Sequence, residues 1–416
     1  MLATKEDRGV KVAAWAAEAT GRTNPDFAGL TFPTSRDERW RYTRASNILG
    51  RAMHPATAPG SAPAQRPLPN LDAHRLVFVD GHFMAALSTG VTLDGAYIGT
   101  WGESIKANPG LIKTWGRGAF ADKEWFAALQ AEGSQDGACI YVPKGVDISS
   151  KPIVVEHHLS GAGIAAHPRN IVCLEAGAKA EVLLWTSASA EADGLMNLAF
   201  DARVDEKAEL KLEFVQDEAG QSAHVSHLHL TQAADSKIEV HTATARAHWL
   251  RNDLHIEQIG ERANATFHGC FAPGDGQFTD HHTRIDHAMP DGTSSELYKG
   301  LAFKGGKAVF NGKIKVHQDA QRIEAFQKNS NILLERGATI YAKPELEIYA
   351  DDVRCSHGCT TGQFDEEAVF YLRSRGMPEA AARRLLTQAF MAESIVGLRP
   401  EAREHVEALF LERIHA

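Results

Sequence analysis

One long tract constrains the fold more than any other feature of the sequence. From about Gly137 to Gln363, apolar and polar residues alternate in short runs that are separated by glycine, aspartate and asparagine. A period of two is typical of β-strands, whose successive side chains point to opposite faces. Helical segments that could cross over between strands are absent from this tract, so a βαβ fold is disfavoured. The tract predicts a large, mainly β body.

A loose repeat runs through this body. A small or apolar residue introduces a strand at six places, which are Ala178, Ala208, Ile238, Ala263, Ala308 and Ala338. Most of these places follow one another after about 30 residues, although the step from Ala263 to Ala308 is longer. Units of this size cannot bury their own apolar faces and gain a core only by stacking, which predicts a β-solenoid. A β-sandwich or jelly roll with coincidental spacing stays open as the alternative.

Residues 1–136 form a predicted N-terminal region. An alanine-rich helix lies around Trp15 and ends at Gly21, and a Pro- and Ala-rich linker or extended cover strand follows from Arg51 to Asn70. A short hairpin is expected around Asp80 and Gly81, followed by a helical section that ends near Glu132. The β body then occupies residues 137–363.

Residues 364–416 form a predicted C-terminal helical region. The segments DEEAVFYLRSRG and MPEAAARRLLTQAFMAESIV predict two helices separated by Gly376, and REHVEALFLERI adds a third. The second helix carries an apolar stripe that includes Leu385, Leu386 and Phe390. Such a stripe packs against its own chain or docks a partner.

Composition excludes several classes of function. The formal charge of -9, with both signs interspersed, provides no basic surface for nucleic acid. The start MLATKEDRG has no apolar core like that of a signal peptide, and no run approaches the roughly 18 apolar residues of a membrane span. The chain is therefore expected to be soluble and cytoplasmic, without nucleic-acid or membrane partners.

Cysteine usage points to reduced thiols. The five cysteines are an odd number, widely spaced except for Cys355 and Cys359, and no CxxC pair occurs. A disulfide framework, a zinc ribbon and a self-contained ferredoxin-type cluster site are therefore not expected. Any metal chemistry would be partial or shared with another chain.

Common enzyme signatures are also missing. The sequence has no GxxxxGK[ST] loop, no GxGxxG between a strand and a helix, and no GxSxG elbow. We therefore expect a chain that does not hydrolyse ATP by itself and is not an enzyme.

The segment DDVRCSHGCTTGQ is the most suggestive candidate site. In an extended backbone Cys355 and His357 lie on one face, and thiolate and imidazole are soft or borderline ligands that suit iron and sulfur. A structural Cys-x-His is the alternative. Cys359 would join as a ligand only if the chain turned sharply there, and it is left out of the site.

A second cluster contains His281, His282, Asp286 and His287. The number of potential ligands is sufficient for a zinc or iron site. Strand geometry places His281 and His282 on opposite faces, which favours satisfied structural histidines.

The carboxylates Glu345 and Glu347 share a face and raise a different hypothesis, a solenoid enzyme acting on a carbohydrate. Charged residues on solvated strands are the alternative, and the missing export signal disfavours a secreted enzyme.

Five segments carry a resemblance to a known family. They are ERWRYT at Glu38–Thr43, IYVPKGV at Ile140–Val146, the run Asp280–Leu301, the run Phe310–Gln327, and Tyr341–Gly376 with its CSHGC core. Together they resemble the SufB/SufD family of iron–sulfur cluster assembly proteins over nearly the whole chain. QKNSN at Gln327–Asn331 lacks the thiol of the SufB branch, and Gly358 stands where that branch has a glutamate. Both departures favour the SufD branch, with a SufB-type paralogue as the closer alternative.

The resemblance implies a fold and a function. The fold is a right-handed parallel β-helix with helical N-terminal and C-terminal regions. The function is that of a non-catalytic scaffold that pairs with a SufB-like paralogue and binds a SufC-like ATPase. No cofactor is held permanently, but a transient iron–sulfur cluster is shared with SufB, and a cysteine desulfurase system acts through SufB.

It also implies roles for particular residues. His357 matches the histidine at the SufB interface, where it binds iron or cluster transiently, and Cys355 matches the neighbouring cysteine. Docking of SufC falls to the C-terminal helices, through Phe370, Leu385, Leu386 and Phe390.

Overall fold

The computed structural model describes residues 5–63, 66–107, 110 and 116–414. Small parts of the predicted linker and of the following helical section, at 64–65, 108–109 and 111–115, lie outside the described residues. The outermost residues of the two predicted end regions, 1–4 and 415–416, lie outside them as well.

The strands form two long sheets. Sheet A contains, in spatial order, β2 (His82–Phe83), β1 (His74–Val79), β6 (Ile153–Leu159), β9 (Lys179–Ala188), β11 (Glu209–Glu218), β13 (Lys237–Arg246), β15 (Asn264–Phe271), β17 (Thr293–Ala302), β19 (Ile323–Leu333) and β21 (Val353–Gln363). Sheet B contains β20 (Thr339–Ile348), β18 (Lys307–Val316), β16 (Phe278–His287), β14 (Trp249–Gln258), β12 (Ala223–Gln232), β10 (Leu195–Val204), β8 (Arg169–Leu174), β5 (Ala138–Val142), β4 (Ala96–Thr100) and β3 (Val91–Leu93), with β7 (Ala165–Ala166) beside β10.

The chain alternates between these sheets, so each coil contributes one strand to each. Neighbours within a sheet from β5 and β6 onward are parallel and one coil apart, as in the pairing of β9 with β11 and of β10 with β12. About eight coils stack in this way. The predicted β-solenoid is confirmed and the sandwich alternative is wrong, because neighbouring strands are parallel and one coil apart, and from β8 to β21 successive strands lie alternately in the two sheets.

The repeat is present, but two of its positions were matched wrongly. Ala308 pairs with Ile340, so its counterpart is not Ala338. Leu210 pairs with Ile238, so the counterpart of Ala208 is Ser236 and not Ile238. The long step from Ala263 to Ala308 also has a cause. Ala263 precedes a strand of sheet A, whereas Ala308 lies in a strand of sheet B, so the step covers more than one whole coil.

The core fills the space between the sheets. Inward-facing residues such as Leu184, Leu212, Phe214 and Phe310 are fully or almost fully buried and stack coil upon coil. Each such side chain contributes about 1.5–3 kcal/mol by leaving water. Stacking therefore supplies the core that no single coil could build.

The helices lie at both ends of the chain. In the described residues they are α1 (Lys5–Thr20), α2 (Trp101–Ala107), α3 (Trp125–Gly133), α4 (Glu366–Ser374), α5 (Glu379–Ile395) and α6 (Pro400–Glu412). The predicted end of the first helix at Gly21 and the predicted hairpin of β1 and β2 are confirmed. None of these helices is both long and apolar enough to cross a membrane. The division at 136 and 363 stays a prediction, although β1 to β4 already join the sheets.

The end regions cover the outer faces of different sheets. Helices α5 and α6 pack on sheet A through an apolar cluster that includes Trp185, Met391 and Phe410. The N-terminal segment packs on sheet B, where Trp40 and Trp125 join the cluster of Trp249. The middle of the solenoid is therefore enclosed, while its last coil remains open.

Candidate functional site

The last coil presents two long edge strands. β20 is the end strand of sheet B and β21 the end strand of sheet A, and within the described residues each has a strand neighbour in its sheet on one side only. Residues along β21 are mostly exposed. An unpaired edge offers backbone N–H and C=O groups to a further strand.

Cys355 and His357 lie on the inward-pointing face of β21. Their register partners on β19 are Ala325 and Gln327, both buried, and Cys355 packs against the end of the core. The predicted common face is confirmed. Two residues along a strand span about 6.6 Å, so thiol and imidazole stand side by side. After β21 the chain continues into helix α4, and His357 is exposed.

Cys359 lies on this face as well, which sequence reasoning missed. The strand runs without a break from Val353 to Gln363, so no sharp turn is needed. Its Sγ lies 3.5 Å from Oδ1 of Asn329. Burial raises the pKa of both the Cys355 and the Cys359 thiol. His357 is thus flanked by two protonated thiols, one on each side, that a bound metal could deprotonate.

Behind His357 the interior is polar. Nε2 of Gln327 donates to Glu296 at 2.6 Å, and the hydroxyl of Thr283 donates to the same carboxyl group. Glu296 is almost completely buried, and burial raises its pKa to about 7. Only the strand register reveals that this carboxyl group lies two strands behind His357.

The N-terminal segment 38–43 braces the last coil. The ring of Tyr42 stacks on Tyr341 of β20 at 4.3 Å, and Lys343 pairs with Glu38. A cavity of about 530 Å³ lies between the segment and the coil and reaches Cys359.

The brace is anchored on sheet B by a buried arginine. The guanidinium of Arg251 lies 4.1 Å from the ring of Trp40 and 2.9 Å from the carboxylate of Asp280. Arg251 and Asp280 are completely buried. The resemblance segment ERWRYT is therefore a structural anchor for the open end.

The histidines of residues 281–287 do not form one site. His281 points inward, stacks on Phe271 at 5.2 Å and has its pKa lowered by burial to about 4. His282 points outward, 3.0 Å from Asp280, and His287 bonds Ser294. The predicted split between the two faces is confirmed.

The carboxylates Glu345 and Glu347 are engaged in polar contacts. Glu345 accepts a hydrogen bond from Asn311 and pairs with Lys343, and Glu347 pairs with Lys313. These contacts fit the interpretation of charged residues on a solvated strand.

The four predicted docking residues differ in exposure. Phe370 on α4 is 72% exposed and Leu385 on α5 is 44% exposed, whereas Leu386 is half-buried. Phe390 packs against the apolar cluster of this chain and lies 4.8 Å from the ammonium of Lys299. Phe370 and Leu385, with the neighbouring Tyr371, therefore offer accessible apolar surface.

The fold and the site together define a parallel β-solenoid protein with helical flanks and an open end lined by thiols and imidazole. Residues 157–390 match the SUF system FeS cluster assembly SufBD core domain, and residues 17–155 match the SufBD protein N-terminal region. The chain belongs to the SufB/SufD family of iron–sulfur cluster assembly proteins, as its sequence predicted.

Individual relatives support this assignment. The chain is 31% identical over 375 residues to the iron–sulfur cluster assembly protein SufD of Escherichia coli (strain K12), covering 89% of this chain and 86% of the relative. It is 29% identical over 398 residues to the chloroplastic protein ABCI7 of Arabidopsis thaliana, covering 91% and 82%. It is 26% identical over 311 residues to SufD of Bacillus subtilis (strain 168), covering 71% and 68%.

Proposed function

We propose that this chain is a non-catalytic scaffold subunit of a cytoplasmic iron–sulfur cluster assembly complex. It pairs with a SufB-like paralogue through the open end of its solenoid, and a nascent cluster forms between the two chains. The observation that carries the proposal is the placement of His357, Cys355 and Cys359 on the inward face of a long edge strand. Membership of the family indicates that the chain acts in iron–sulfur cluster assembly.

The edge itself explains why a related solenoid is the fitting partner. A second chain with an equally open last coil can continue both sheets at once, because β20 and β21 present their edges together. Such pairing would bury the polar interior around Gln327 and enclose His357. Iron or a cluster would then be shared, with sulfur delivered on the partner through a cysteine desulfurase system.

The C-terminal helices fit the docking of a SufC-like ATPase. Phe370 and Tyr371 are 72% and 57% exposed on α4, and Leu385 is exposed on the neighbouring helix. Apolar side chains presented together on helices are typical of a docking surface.

The test of the site is coexpression with the SufB-like and SufC-like proteins of the same organism, affinity isolation, and anaerobic iron and sulfide analysis. We expect His357→Ala to assemble normally and to lose most of its iron. Ser356→Ala is the matched control, since Ser356 lies on the same strand with its side chain on the other face. Iron that is unchanged in His357→Ala would contradict the assigned site, and no complex at all would reopen the solenoid-enzyme hypothesis.

The test of the docking surface is a charge on the exposed helix face. We expect Phe370→Asp to release the ATPase while the paralogue remains bound. Val396→Asp is the matched control, because Val396 is 61% exposed just beyond α5. Retention of the ATPase by Phe370→Asp would place the docking surface elsewhere.

A further inference from the structure

Two histidines and a glutamate meet on the outer face of sheet B, away from the open end. His229 of β12 is the direct register partner of His255 of β14, and Glu257 follows two residues later on the same face. Nε2 of His229 lies 3.5 Å from Oε2 of Glu257, and Nε2 of His255 lies 3.6 Å from Oε1 of Glu257. One ligand atom from each residue lies within 4.8 Å of the other two.

His255 supplies a second, independent observation. It is 8% exposed, yet within the described part of the chain its Nε2 has no hydrogen-bond partner. The nearby carboxylate of Asp286 is 3.5 Å away, beyond a good hydrogen bond. Leaving such a buried polar atom unpaired costs about 1–3 kcal/mol. The atom faces the carboxylates of Glu257 and Asp286 and lies at ion-pair distance from both.

The separations between these atoms suit a metal ion. Ligands about 2.0–2.1 Å from a tetrahedral zinc ion lie about 3.3 Å from one another. The distances of 3.5 and 3.6 Å that separate Glu257 from the two imidazoles are close to this value.

The surroundings prepare the ligands. The ring of Phe120 stacks on His255 at 5.5 Å and meets His229 edge-on at 5.2 Å, which fixes both imidazoles and limits access of water.

A second carboxylate stands beside the three. Arg284 donates to both oxygens of Asp286, from Nε to Oδ1 at 2.7 Å and from Nη2 to Oδ2 at 2.5 Å, and Oδ2 also lies 4.0 Å from Nε2 of His317. The carboxylates of Glu257 and Asp286 together outnumber the single guanidinium of Arg284, and this excess of negative charge favours a divalent cation.

We propose that His229, His255 and Glu257 bind a divalent first-row transition metal of the zinc or ferrous iron type, with the carboxylate of Asp286 beside them adding negative charge. Imidazole nitrogen with carboxylate suits these ions, whereas calcium and magnesium prefer shells of oxygen alone. The site is independent of the proposed function, because it lies on β12 and β14 and not on β21.

The experiment uses the full chain, stripped with a chelator and titrated with Zn²⁺, and with Fe²⁺ under anaerobic conditions. We expect about one equivalent of metal per chain and a rise in melting temperature on binding. Glu257→Gln keeps the shape of the side chain and should weaken binding at least about tenfold, and His255→Ala should abolish it. X-ray absorption of the zinc form should show two imidazole ligands.

Two controls separate this site from other histidines of the chain. His54→Ala and His74→Ala lie outside both sites and should bind zinc as the unchanged chain does, and circular dichroism should show a folded solenoid for every variant. Zinc binding that survives both Glu257→Gln and His255→Ala, or that is lost in His74→Ala, would overturn the proposal. So would the absence of stoichiometric binding at micromolar zinc.

Discussion

The two ends of the solenoid treat their sheet edges in opposite ways. At the N-terminal end the edge strands β2 and β3 have two and three residues and belong to antiparallel hairpins. At the C-terminal end β20 and β21 have 10 and 11 residues and are largely accessible. Short edge strands resist pairing with other chains and long ones invite it. The N-terminal end is therefore protected from pairing with another chain, whereas the C-terminal end has edge strands that are long enough to pair.

The two ends also differ in the polarity of their interior. At the N-terminal end Phe78 is fully buried and packs between Phe83 and His157, with ring centroids at 5.5 and 4.9 Å. At the C-terminal end the inward positions include the polar residues Gln327, Asn329 and, on the next strand, His357. An apolar interior stabilises the isolated chain, whereas a polar one gains most when another chain closes it.

The largest expected effect is on packing at the closed end. Phe78→Ala should lower the free energy of unfolding by about 3–5 kcal/mol, because it leaves a cavity in the core. Tyr349→Ala at the open end, where the side chain is 61% exposed, should change it by less than about 0.5 kcal/mol. Urea unfolding of both variants measures the difference, and equal losses would remove the contrast between the ends.

The second effect is a pH dependence that originates near the open end. Because burial raises the pKa of Glu296 to about 7, the folded chain binds this proton more tightly than the unfolded one. The stability from Glu296 is therefore present below pH 4.5 and is lost as the pH rises through 7, by roughly 3 kcal/mol.

Glu296→Gln should remove this loss. The free energy of unfolding, measured with urea at pH 5 and pH 8, should rise for the variant relative to the unchanged chain as the pH rises. Comparison with the unchanged chain cancels the titration of all other groups. A stability difference that stays constant with pH would mean that Glu296 is ionised throughout.

The smallest effect concerns the brace. Tyr42→Ala removes the stack on Tyr341 and should cost about 0.5–1.5 kcal/mol. Hydrogen exchange should quicken in β20 and remain unchanged in β1, since only the open end loses a contact. Tyr42→Phe retains the ring and is the control. Faster exchange in both strands would show that the brace supports the whole solenoid and not its last coil.

Much of the fold could be predicted from the sequence, because alternation and a repeat of about 30 residues are local properties. The boundaries of the strands were harder to predict from the sequence. Ile238 was matched to Ala208 because the sequence does not show that turns between coils vary in length, and the true counterpart is Ser236.

Part of the candidate site could be predicted from the sequence for the same reason. Cys355 and His357 share a face by strand geometry alone, whereas the position of Cys359 depended on whether the chain turned. Glu296, behind the site, is distant from His357 in the sequence, and only two successive register pairings bring it near.

The sequence by itself determined a repeating, mainly β body, the family and the shared face of the Cys-x-His pair, since these follow from local periodicity and motif; the parallel β-helix was implied only by the resemblance to the family. The tertiary structure alone decided which end stays open, which apolar helix residues remain exposed, and that His229 meets His255. These two histidines lie on different strands of the sequence, and the length of one coil makes them neighbours. Contacts between coils depend on the summed lengths of strands and turns, so no local pattern can specify them.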